Sequence, residues 1–211
     1  MRDLLLSALL ACAASPYAFA EPAPGPSVLE PIAGVRMRCA GPVGKQIDAN
    51  VRNWGLRAPA SNPGLLAMFE LRDRKPAPNL VPWAGEFVGK YLISAIQSLR
   101  LSENAELEAT VRAVVARLLA CQAEDGYLGP FPKNVRLTAN WDLWGHYHVM
   151  LALLMWHERT GDDAALRACC KAADLICKIY LGTGRRMLSA GSDEMNLAVI
   201  HSLGKLYRKT G

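Results

Sequence analysis

The chain has 211 residues, 51% of them hydrophobic and 20% charged, a balance that supplies one sizeable core and lacks the composition of an intrinsically disordered chain. Its net charge of +5 is spread along the sequence, with Arg185-Arg186 the densest short cluster. No basic patch of the kind that grips nucleic acid is present in the pattern.

In chain order, residues 1–20, "MRDLLLSALLACAASPYAFA", read as an export signal. A short apolar run from Leu4 to Ala14 precedes an Ala18-Phe19-Ala20 ending, which places cleavage before Glu21. The expected location is therefore secreted or periplasmic, with lipid attachment at Cys12 as the alternative. No later stretch has the length of a charge-free transmembrane helix. Residues 21–42 form a Pro- and Gly-rich extended lead, and residues 43–211 carry helical patterns.

A short helix is expected around "GKQIDANVRNWGL". The turn "NLVPWAG" at 79–85 then opens a helix from about Glu86 to Leu101. Ser102 is the expected cap of the next helix, whose apolar residues Leu107, Val111, Val114, Val115, Leu118 and Leu119 follow the helical period. After the loop "AEDGYLGPFPKNVRLTAN", a helix over 142–159 ends in "HERTG", turns through Asp162, and gives way to a helix from about Asp163 to Tyr180. A third unit begins near Asp193 and ends in "LYRKTG". Cys121, Cys169, Cys170 and Cys177 fall inside helical patterns and read as small buried apolar side chains. The adjacent pair Cys169-Cys170 points about 100° apart on a helix and lacks the C-x-x-C spacing of a metal site.

The Thr-Gly pairs at 160 and 210 lie 50 residues apart, and this spacing suits helical hairpins arranged as inner and outer rings better than short-loop solenoids. The expected fold is all-α, with helical hairpins forming roughly half of an (α/α)6 toroid. "WAGEFVGK", "WDLWGHYH" and "GSDEMN" all open the first helix of their hairpins, so they should converge on one rim. Flat aromatic faces stack on sugar C–H faces, and His, Glu and Asn match hydroxyl groups. Trp83, Glu86, Trp144, His148 and Glu194 are the candidate binding residues and should surround one cavity. His146 stands with them, a structural role being equally open for it, while His157 reads as structural.

"GEFVGKYLISA", "QAEDGYLGPFP", "WDLWGHYHVMLALLMWHERTGD", "ADLIC" and "EMNLAVIH" followed by "LYRKTG" resemble, in this order, the N-terminal part of glycoside hydrolase family 127, the beta-L-arabinofuranosidase-like proteins. The resemblance spans about residues 32 to 211. It implies a toroid whose inner-helix rim binds a terminal L-arabinofuranose or a related sugar. His148 matches a sugar-contacting histidine by its distance to the Thr-Gly turn, and Gln46 is a weaker match. Glu86 and Lys90 stand where many members carry histidines, and Ser192 where a family histidine is found.

The resemblance also implies that the family's nucleophilic cysteine, zinc ligands and acid/base glutamate lie in its later part. No cofactor is then assigned within this chain, and zinc belongs to the full-length family domain. On this reading the chain is an N-terminal fragment that contributes sugar-binding residues and is inactive alone. An open half-ring is expected to self-associate through its uncovered helix sides. The alternative is a helical-repeat protein that binds a protein or glycan through its concave face.

Overall fold

The computed structural model describes residues 35–187 and 193–211. The expected export signal, Cys12, the start of the lead and Ser192 lie outside the described residues. Helices α1 (Gly41–Asn50), α2 (Ala58–Ser61), α3 (Gly64–Glu70), α4 (Glu86–Leu101), α5 (Ala105–Ala120), α6 (Asp142–Thr160), α7 (Asp163–Tyr180), α8 (Asp193–Leu197) and α9 (Val199–Thr210) follow in order. A π-helical turn, Val51–Gly55, continues α1. No strand occurs among the described residues. The hairpins α4–α5 and α6–α7, followed by α8 and α9, form part of an (α/α)6 toroid.

The helix limits have local causes. The Asn104 side chain accepts a 2.7 Å hydrogen bond from the Leu107 N–H and caps α5, with Glu106 and Glu108 complementing the dipole of the first turn. Ser102 does not cap it. That residue is extended, and its hydroxyl turns back onto the Ser98 carbonyl at 3.0 Å, so the chain runs two residues further before an amide side chain can reach an open N–H. Gly161 ends α6 in the left-handed region, at φ 72°, which favours glycine. The next residue, Asp162, caps α7 by accepting from the Ala164 N–H at 3.0 Å.

Helix α6 packs against α4 on one side and α9 on the other, with α7 behind it, while α5 covers α4 and touches α7. That is an inner row of α4, α6 and α9 and an outer row of α5 and α7. Leu143, Val149, Met150, Ala152, Leu153, Leu154 and Trp156 bury α6 nearly all round, as a helix hemmed in by several neighbours requires. By contrast α7 buries one stripe, Ala165, Ala168, Cys169, Ala172 and Ile176. Burial pushes the Cys169 thiol pKa up, so it behaves as core filling rather than as a nucleophile.

At its N-terminal end α4 meets α6 very closely. A Cβ on Gly89 would lie 2.5 Å from the His148 carbonyl carbon, and one on Gly145 would lie 3.1 Å from the Gly85 Cα. Glycines at these positions let the two backbones approach, and this contact sets the spacing of everything on the rim.

Candidate functional site at the start of the inner helices

The openings of α4, α6 and α8 are tied together by side chains. The Trp144 indole N–H donates to Glu86 Oε2 in a short hydrogen bond. Asn196 of α8 accepts from the Trp144 backbone N–H at 3.2 Å and donates to the Asn140 carbonyl at 3.1 Å. Just outside, Trp83 and Trp141 pack at 5.4 Å between ring centroids, and the Trp141 backbone N–H donates to the Pro82 carbonyl at 3.0 Å. Trp83 keeps 38% of its surface exposed, enough to offer a flat face.

Trp144 is the hub of this group. Its ring lies edge-on to His148 at 4.4 Å, and Tyr147 lies 4.6 Å from His148 and 5.6 Å from Trp144. The Lys90 ammonium sits 5.5 Å from the Trp144 ring centroid and 2.8 Å from Glu86 Oε1. With one face under a cation and its N–H engaged, this indole holds other groups in place. Tyr147 also approaches His201 of α9 at 5.8 Å, so aromatic groups of α6 and α9 continue the same surface.

The His148 Nδ1 pairs with the Trp144 carbonyl at 3.0 Å. A carbonyl only accepts, which places the proton on Nδ1 and leaves Nε2 as a hydrogen-bond acceptor. Burial lowers the pKa of this ring, more than the hydrogen bond to the Trp144 carbonyl raises it, with Lys90 lowering it and Glu86 raising it by smaller amounts. His148 is thereby held as a neutral imidazole, a donor on one side and an acceptor on the other.

His146, two positions away, points inward. Its Nδ1 lies 2.9 Å from the Asp142 carbonyl and 3.2 Å from Asp142 Oδ1, and its Nε2 accepts from the Leu128 N–H at 3.3 Å. Asp142 Oδ2 also accepts from the Tyr127 hydroxyl at 3.0 Å and the Leu137 N–H at 2.7 Å. Burial and the Asp142 charge push the Tyr127 phenol well above its usual pKa, so Tyr127 remains a donor to that carboxylate. The network fastens the α5–α6 loop to the first turn of α6. With both ring nitrogens engaged and 1% of its surface exposed, His146 supports the rim from beneath and is not on it.

Of the residues picked from the sequence, Glu86, Trp144 and His148 stand in one contact group and Trp83 flanks it. Gln46 is exposed on α1 and Glu194 is exposed on α8; neither makes a side-chain hydrogen bond to the group among the described residues. Away from the group, one cleft lies between α3 and α5 around Glu70, Arg117 and Cys121, and another runs along α5. Lys90, Tyr147 and Asn196 belong to the group and were not among the candidates. The first two had a signal, the i,i+4 spacing of Glu86 and Lys90 and the i,i+3 spacing of Trp144 and Tyr147. Asn196 belongs to the rim motif "GSDEMN", but its partner is 52 residues away and no spacing marks it.

Among the described residues no three His, Cys, Asp or Glu side chains gather within reach of a common metal ion. They do not fit the zinc centre that the resemblance implies for the full-length domain. Nor is any described helix long and apolar enough to cross a membrane. Residues 45–211 match the family described as "Beta-L-arabinofuranosidase, GH127 catalytic domain". No curated protein matches the chain.

Proposed function

The chain belongs to the beta-L-arabinofuranosidase GH127 catalytic-domain family, and from that premise we propose that the rim formed by α4, α6 and α8 binds the sugar of an L-arabinofuranoside-like or related glycan. The observation that carries this reading is the contact group of Glu86, Trp144 and His148, built at the openings of separate hairpins. His148 Nε2 accepts from a sugar hydroxyl, Tyr147 and Trp83 offer apolar ring faces, and Asn196 keeps the first turn of α6 in register. Glu86 is a hydrogen-bonding residue here. Its carboxylate is engaged by an indole and an ammonium, and the family resemblance places the nucleophilic cysteine and the acid/base glutamate in the later part of the family domain. The proposed role of these residues is thus to hold sugar, with bond cleavage assigned to none of them, in a protein exported by its first 20 residues.

Titration of the chain with methyl β-L-arabinofuranoside, read by calorimetry, tests the proposal. Saturable binding that weakens about 5- to 100-fold in His148→Ala is expected, the range for one lost hydrogen bond to a ligand. Binding that is absent, or unchanged in that variant, would overturn it.

A further inference from the structure

We propose that Lys90 is the specificity-determining cation of the rim, and that the sugar it selects bears a carboxylate: a uronic acid residue of a glycan. This inference rests on the carbohydrate reading of the rim and narrows it to a substrate class.

Lys90 covers one face of Trp144. A ligand arriving over that ring meets the Lys90 ammonium, 5.5 Å from the centroid, before it meets the indole. The ammonium is held in place. Glu86 Oε1 lies 2.8 Å away, and the Glu86 side chain is itself only 10% exposed, with its other oxygen taken by the Trp144 N–H. Glu86 therefore orients the cation while presenting little acceptor surface of its own. The Lys90 side chain remains 46% exposed, and Glu86 uses one of its three donors.

Two donors on a pre-oriented cation suit a group with two acceptor oxygens and a negative charge. A carboxylate gains charge-assisted bonds that a hydroxyl cannot, and the cost of ordering a long lysine side chain is already met within the protein. The neighbouring groups fit the rest of such a sugar. His148 and Tyr147, 4.6 Å apart between ring centroids, are partners for hydroxyls and C–H faces.

The test uses the 211-residue chain with three probes: methyl galactopyranosiduronate, methyl galactopyranoside and methyl β-L-arabinofuranoside. The Trp144 indole N–H resonance reports occupancy at this place, and calorimetry gives affinity. The uronate is expected to bind about three- to fivefold more tightly than the matched neutral galactoside, the range for a half-exposed charge contact. That preference should shrink in concentrated salt. Lys90→Gln should remove it and Lys90→Arg should keep it, both variants retaining a donor for Glu86 and the helical circular dichroism of the parent. Neutral sugars that bind with no uronate preference, or a preference that survives in Lys90→Gln, would overturn the inference and leave the rim reading intact. Failure of all three probes to bind would overturn both.

Discussion

The octapeptide 141–148, "WDLWGHYH", builds two regions of opposite character from the same kinds of residue. Asp142 and His146, four positions apart, face inward and join a buried network with Tyr127, Leu128 and Leu137. Trp144 and His148, also four apart, face the rim with Glu86, Lys90 and Tyr147. The difference teaches that a histidine's role follows from what the rest of the chain brings to its second nitrogen. At His146 that nitrogen meets a backbone N–H, and at His148 only the first nitrogen, Nδ1, has a hydrogen-bond partner among the described residues.

If the inner region is structural, its loss should dominate stability. Asp142→Ala removes the acceptor of two short buried bonds and the partner of His146. A loss of about 3–5 kcal/mol is expected, as for other broken buried polar networks, measurable by urea unfolding. A change below about 1 kcal/mol would place the weight of the fold elsewhere.

A second variant acts on the seam between the regions. Gly89→Ala places a Cβ 2.5 Å from the His148 carbonyl carbon, so α4 and α6 must separate. The expected cost is about 1–3 kcal/mol, accompanied by a shift of the Trp144 indole resonance as the Glu86 contact loosens. An unperturbed resonance would show that the rim does not depend on this close approach.

The smallest effect is a titration. Because the His148 pKa is lowered in the folded protein from its usual 6.5, the unfolded chain takes up a proton first as pH falls. Stability should therefore decline below about pH 6.5, and this part of the decline should be missing in His148→Ala. A pH dependence identical in the two proteins would contradict the burial assigned to this ring.

Much of the fold was legible because its signals are local. The apolar period of α5, the Gly161 terminator and the Asp162 cap each act within a few residues. The cap of α5 was misread because Ser102 and Asn104 are both competent caps, and only the extended path between them decides. The candidate site was legible as a set of residue types on a shared rim. Its division into two faces was not. His146 meets Leu128 only because the loop returns through Leu137 and Asn140, both at positive φ, 59° and 57°. Leu137 in particular is locked there by the bond from its N–H to Asp142 and by the Tyr180 hydroxyl on its carbonyl. Non-glycine residues rarely adopt that conformation, and nothing in their sequence announces it. Lys90 was visible as a departure from the family pattern and by its i,i+4 spacing from Glu86, and its contacts with Glu86 and Trp144 gave it a place.

The most direct measurement compares His146→Ala with His148→Ala in parallel, each by chemical unfolding and by titration with methyl β-L-arabinofuranoside. His146→Ala should lose about 2–3 kcal/mol of stability, as a buried residue with two engaged nitrogens, while its folded fraction binds sugar as the parent does. His148→Ala should lose most of its sugar affinity with a smaller change in stability. The opposite pattern, a stable His146→Ala that cannot bind and an unstable His148→Ala that can, would exchange the two faces and contradict the account.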